Sequence, residues 1–240
     1  MPPPKIRVFA TPAIVAQAAA HHIADAAGSA IRDTGAFTLA LSGGQTPRPL
    51  YQLLADEPSL FRIDWSKIEI FFTDERCVPP EDPQSNFHMA SETLLDFAPI
   101  PPENIHRIRG EIDPQAAAIE YGQLLKQRFA DGGLHLALLG MGEDGHTASL
   151  FPASAALAET NHRCVANFVH NLNAWRITMT VPFLNRSKQI LMLVTGSAKA
   201  KPVQQALETT DAAKPLPVHL INPSSGHLTW FLDADAARME

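Results

Sequence analysis

Short apolar runs of strand type alternate with longer stretches of helical spacing along most of the chain, and this alternation restricts the fold more than any other feature. Ile6 to Phe9 is followed by the Ala-rich Ala13 to Arg32, then by Phe37 to Leu41. A helical stretch after Pro47 reaches about Asp56, and strand-like Ile68 to Thr73 follows. Helical Phe87 to Phe97 and Gln115 to Phe129 then lead to strand-like Leu134 to Leu139. Further strands are expected at Arg176 to Val181, Gln189 to Thr195, Val218 to Ile221 and Leu228 to Leu232, with a helix at Ala198 to Leu207. Strands that alternate with helices pair in parallel, because each crossover must return to the same end of the sheet. The predicted fold is therefore α/β: an open, largely parallel twisted sheet with helices on both faces, of modified Rossmann-like type. The Pro-rich stretches at 79–83 and 99–102 are short and sit at element ends, so residues 1–240 read as a single domain.

A 45% apolar and 18% charged composition belongs to a chain that folds around a core. The net charge of -6 offers no general attraction to nucleic acid or anionic membranes, so any bound anion must be held by a local basic pocket. No stretch approaches the roughly 20 apolar residues of a membrane span, and the start lacks a secretory pattern. The two cysteines, Cys77 and Cys164, form neither a disulfide framework nor a zinc spacing. A reducing, cytoplasmic setting is expected. Cys77, beside Arg76, reads as a packed, inert thiol.

Ligands of open α/β sheets bind beyond the carboxyl ends of the strands, which directs attention to four segments. At Leu41-Ser42-Gly43-Gly44-Gln45-Thr46-Pro47 a strand enters a Gly-rich turn and a helix, with Pro47 expected at N1. Exposed N–H groups there would suit a phosphate, whereas the plainer reading is a tight turn with Thr46 as N-cap. Thr73-Asp74-Glu75-Arg76 follows a strand and precedes a loop holding Ser85 and Asn86. Taken alone, such a charge cluster is a solvated loop with an internal ion pair.

The third segment, Leu134 to Pro152, carries Gly140, Gly142 and Gly145 in the G-x-G-x-x-G spacing of a dinucleotide fingerprint. That fingerprint should open a long helix, and Pro152 ends this segment within a few residues, so the match is rejected. Asp144 and His146 crowd the turn instead. A histidine that titrates near neutrality is suited to proton transfer, and Asp144 could fix its tautomer or hold a substrate hydroxyl. No second His or Cys stands at metal-ligand spacing from His146, and Ser149 is not in a G-x-S-x-G elbow. No metal or cofactor is expected. The fourth segment supplies cations, with Arg176 opening a strand and Lys199 at the turn after Thr195-Gly196-Ser197-Ala198. With Arg76 and the Ser42 loop they would form a phosphate clamp.

In this order, SGGQTP at 42–47, TDERCVP at 73–79 with Ser85-Asn86, LLGMGEDGHTASLFP at 138–152, RIT at 176–178 and the Gly196 to Lys199 turn closely resemble the 6-phosphogluconolactonases. Their wider superfamily includes the glucosamine-6-phosphate deaminases. Deaminases of this superfamily carry a glutamate shortly after the DGH histidine, in a Phe-Asn-Glu-Pro stretch, where this chain has Ser149-Leu150-Phe151-Pro152. The resemblance thus implies a hydrolase acting on 6-phospho-D-glucono-1,5-lactone in the oxidative pentose phosphate branch. It implies His146, Asp144 and Arg76 as catalytic residues. Ser42, Gly43, Gly44, Thr46, Asp74, Arg176 and Lys199 would bind substrate and phosphate. The partner would be a small sugar-phosphate lactone, with no nucleic acid or membrane involved, and nothing in the pattern specifies an oligomeric state. Two alternatives stay open: a glucosamine-6-phosphate deaminase or isomerase, and a non-catalytic sugar-phosphate-binding regulator.

Overall fold

The computed structural model describes residues 3–56, 62–208, 216–223 and 225–238. Strand β1 (Lys5–Phe9) leads into helix α1 (Pro12–Thr34), whose ends are written in the sequence. The Thr11 side chain accepts the Ile14 N–H, Pro12 stands in the first turn, and Gly35 closes the helix at φ 85°. Its buried face is rich in small residues, Ala16, Ala19, Ala20, Ala26, Ala27 and Ala30, which let the helix backbone lie close to its neighbours. Next come β2 (Phe37–Leu41), α2 (Arg48–Asp56), β3 (Ile68–Phe72), the three-residue β4 (Asp74–Arg76) and α3 (Asn86–Ala90). Helix α4 (Pro114–Phe129) and β5 (Leu136–Leu139) follow, then β6 (Cys164–Val169), β7 (Ala174–Met179) and α5 (Val181–Leu184). The chain closes with β8 (Gln189–Val194), α6 (Ala200–Glu208) and β9 (His227–Asp233).

Six strands form one sheet in the order β1-β9-β8-β5-β2-β3, and every pair in it is parallel. All residues of β2 and β5 are buried, as strands covered on both faces require. The expected parallel α/β sheet is therefore present. A second sheet, β4-β7-β6, is antiparallel and was not foreseen. Its central strand β7 holds the Arg176 segment, and α4 packs against β6 and β7.

Four local expectations need correction. Val218 to Ile221 is not a strand but lies in a 3-10 turn, Pro217–Leu220, because Pro217 lacks an N–H for a ladder and fixes a turn-like φ. The helix expected over Phe87 to Phe97 is α-helical only to Ala90 and continues as a π-turn, Ser91–Leu95. Strand β7 ends at Met179, and Val181 opens a helix. Helix α2 begins at Arg48 rather than Pro47, since the Pro47 carbonyl already accepts the Tyr51 N–H at 3.0 Å.

The chain's two tyrosines tie off two strand ends. The Tyr51 hydroxyl accepts the Ser42 N–H and donates to the Ser42 carbonyl, at 3.1 and 2.8 Å. Tyr121 does the same to Phe72 at the end of β3, at 2.8 and 3.1 Å. Buried main-chain groups that leave a ladder need partners, and these hydroxyls supply both kinds.

Candidate active site

The carboxyl ends of β8, β5, β2 and β3 are neighbours in the parallel sheet, so their four loops share one edge. The loop after β5 is folded by glycine. Gly142 N–H donates to the His146 carbonyl at 2.8 Å, and Gly145, at φ +76°, makes the reversal. A Cβ on Gly142 would lie 2.1 Å from His146 Nδ1, so only glycine admits the imidazole. The spacing that imitates a nucleotide fingerprint thus serves to seat a side chain.

Within this loop Asp144 Oδ1 lies 2.5 Å from His146 Nδ1 and also accepts the His146 N–H at 3.1 Å. Burial pushes the Asp144 carboxyl upward, but His146 and the N–H donors outweigh it and hold the group below its ordinary value. An ionised Asp144 places the proton on Nδ1 and leaves Nε2 free of this contact. The Phe151 ring stacks on the imidazole, with centroids 4.1 Å apart and an interplanar angle of 26°.

Antiparallel register explains how the loop is aimed. Asp74 pairs with Thr178 and Arg76 with Arg176, while Val165 and Asn167 pair with the same two residues of β7. Directly paired residues point to one face, so Asp74, Arg76, Asn167, Arg176 and Thr178 lie together. That face grips Ser149. Its hydroxyl donates to Asp74 Oδ2 at 2.6 Å, its N–H to Thr178 Oγ1 at 3.3 Å, and its carbonyl accepts from Asn167 Nδ2 at 2.9 Å. Glu75 points the other way and accepts the N–H groups of Asn86, Arg76 and Phe87. Its burial still raises its pKa, with the N–H donors opposing. Ser85 and Asn86, noted in the sequence only as followers of the charged segment, lock that segment in place: Asn86 Nδ2 donates to the Asp74 carbonyl at 2.9 Å.

Arg76 and Arg176 face each other across β4 and β7, and neither takes part in an ion pair among the described residues. Arg76 Nη1 donates to the Gln84 carbonyl at 2.6 Å, and its Nε is buried without a partner. Burial, and then the like charge of Arg76, lower the pKa of Arg176. Like charges directly opposite in a sheet destabilise it, so this pair is suited to receiving an anion. The N–H groups of Gly43 and Gly44 also have no protein acceptor among the described residues, whereas that of Ser42 is taken by Tyr51.

The sequence-derived set is therefore brought together in part. Asp144 and His146 form a pair, and Arg76 and Arg176 form another. Asp74, 6% exposed, is spent on Ser149, Thr73 and Asn86. Lys199 follows β8, three strands along from β3, or about 14 Å at roughly 4.8 Å per strand. Ser42 and Thr46 lie on the β2 loop between them. Asn167, Thr178 and the stacking role of Phe151 were missed; the alternation of Arg176-Ile177-Thr178 was the available sign of a two-faced strand. Burial pushes the Cys77 thiol up to about 11, which keeps it protonated and unreactive.

A groove of about 840 Å³ lies elsewhere, between α4 and residues 155–166, and of the residues placed at the strand-end edge and its facing β7 surface only Val165 borders it. It has no Asp144, His146 or Arg76 in its wall, so the strand-end edge remains the candidate site. Among the described residues no cluster of three or more His, Cys, Asp or Glu could hold a metal ion, and no helix is long and apolar enough to cross a membrane.

Residues 10–230 match the family model of glucosamine-6-phosphate isomerases/6-phosphogluconolactonase. The chain belongs to this family. A probable 6-phosphogluconolactonase 3, chloroplastic, of Oryza sativa subsp. indica is 37% identical over 97% of this chain and 75% of its own length. A 6-phosphogluconolactonase of Nostoc sp. is 40% identical over 87% of this chain and 86% of its own. The solved 6-phosphogluconolactonase of Trypanosoma cruzi superposes with a TM-score of 0.87 at 27% identity, covering 98% of this chain and 96% of that one.

Proposed function

We propose that this chain hydrolyses 6-phospho-D-glucono-1,5-lactone to 6-phospho-D-gluconate, with His146 as the base that activates water. The observation that carries this reading is the 2.5 Å contact between Asp144 and His146 Nδ1 at the end of β5. It orients the imidazole so that Nε2 can take a proton from water as the water oxygen bonds to C1. The carbonyl electron pair then moves onto the lactone oxygen, and Arg76 is placed to meet that charge. When the tetrahedral intermediate collapses, the ring oxygen leaves with the proton from Nε2. Phosphate binding is assigned to the open N–H groups of Gly43 and Gly44, with Ser42 and Thr46 shaping their loop and with Arg176 and Lys199 supplying charge. Remote phosphate contacts of this kind orient the reacting ring. Asp74 fits a different task from phosphate binding: its carboxylate holds Ser149 and thereby the loop.

The relatives named 6-phosphogluconolactonase support the substrate, and Phe151 supports hydrolysis over amine release because no carboxylate stands at that position beside His146. Two free cysteines, Cys77 and Cys164, favour a reducing compartment, for which we propose the cytoplasm. The deciding experiment is turnover of freshly made lactone, corrected for spontaneous hydrolysis, with and without a chelator. A rate no greater than the blank would overturn the reading, as would ammonia release from glucosamine-6-phosphate.

A further inference from the structure

The imidazole of His146 is held on three sides. Asp144 takes Nδ1, the Gly142 α-carbon abuts the Nδ1–Cε1 edge, and the Phe151 ring covers one face. Asp144 fixes the tautomer, and Gly142 leaves room for the ring edge that any larger residue would fill. An aromatic ring stacked at 4.1 Å adds something of another kind, because its negative face interacts weakly with a neutral imidazole and strongly with a cation. The histidine side chain is 30% exposed, so a charge on it is only partly screened by water.

We propose that Phe151 is a positioning residue whose ring stabilises the imidazolium formed at His146 during turnover. The inference rests on His146 being the base. In the attack step an O–H bond of water breaks, the proton goes to Nε2, the water oxygen forms its bond to C1, and the carbonyl π pair becomes the oxyanion. The ring that was neutral in the ground state is then a cation between the Asp144 carboxylate and the Phe151 face. An interaction that strengthens only as this charge develops lowers the barrier without tightening substrate binding. Asp144 is the ionised group in contact with the imidazole, so the two partners act on the same charge from the ring edge and the ring face.

The test replaces Phe151 with 4-fluoro-, 3,5-difluoro- and 3,4,5-trifluorophenylalanine, which drain the ring face of negative potential while keeping its shape. The expected result is a stepwise fall in kcat, roughly 3- to 30-fold across the series, at constant KM. The acid limb of the kcat profile should move to lower pH along the same series. Phe151→Leu, which keeps apolar bulk without a π face, should fall at or below the trifluoro variant, and Phe151→Trp should recover most of the rate. A purely structural stack would leave kcat flat through the fluorinated series, and that outcome overturns the proposal. So does a Phe151→Leu enzyme that folds and keeps full kcat. Failure of the base assignment itself is separately visible, because His146→Ala would then retain turnover whatever the fluorinated series does.

Discussion

In the parallel sheet, β2 and β5 bury every residue and only Thr38 among them is polar; in the antiparallel sheet, one face of β4, β7 and β6 assembles Asp74, Arg76, Asn167, Arg176 and Thr178. The first sheet is held by burial, which is non-directional and satisfied by any apolar set of suitable volume. That face of the second is held by hydrogen bonds whose partners must be in place, since an unpaired buried polar group costs more than a made bond contributes. The parallel sheet thus decides where the edge is, and the antiparallel one decides what the loop on that edge can do.

Substitutions can break this division of labour. The largest effect is expected at the pair the two sheets jointly aim: His146→Ala should lower kcat by roughly 10²- to 10⁴-fold with KM little changed, measured as lactone turnover above the spontaneous rate. Leu138→Ala, in fully buried β5, should cost about 2–5 kcal/mol in denaturant unfolding while the folded fraction keeps wild-type kcat and KM. Changed kinetic constants there would show that the parallel sheet does more than locate the edge.

Arg176→Ala should do the reverse, raising KM roughly 10- to 100-fold, the loss of a charge-assisted contact of about 1.5–3 kcal/mol, with no loss of thermal stability. Relief of its repulsion with Arg76 should even raise the melting temperature slightly. Ser149→Ala leaves Asp74 Oδ2 without its donor, so about 1–3 kcal/mol of stability should be lost together with part of kcat. If kcat were untouched, the grip on Ser149 would be structural alone.

The smallest effect concerns acid. Asp144 is depressed in the folded state, so its contribution to stability is present above the unfolded value of about 3.9 and is lost as pH falls through the lower folded value. A loss of activity setting in near neutrality would therefore belong to another group. Comparing the acid unfolding of the parent with that of Asp144→Asn measures this directly, and identical acid limbs would remove Asp144 from the account.

The sheets differ in legibility as well. Runs such as Leu136 to Leu139 and Gln189 to Val194 announce buried strands because burial on both faces demands unbroken apolar residues. Asp74-Glu75-Arg76 announces a loop, since nothing in three charged residues reveals that Glu75 will accept three N–H groups and that its neighbours will face β7. Val218 to Ile221 errs in the opposite direction, apolar enough for a strand yet bent by Pro217 into a turn whose Val218 N–H braces the Gly145 carbonyl at 3.1 Å. The Asp144–His146 pair was readable because only Gly145 separates the two in sequence. Arg76 and Arg176 could be grouped by their charge, but that they face each other could not be read, because the two are far apart in sequence and only the strand register joins them.

Strand β1 lies beside β9, parallel to it and in register from Lys5 with Thr229 to Phe9 with Asp233. Tension entering at the amino end of β1 and leaving at the carboxyl end of β9 would pull the two strands lengthwise past each other. Every rung between them would then carry load at once, instead of opening one after another like a zip. The outer pair of the sheet is in this sense a mechanical clamp, placed at the opposite end of the strand order from β3.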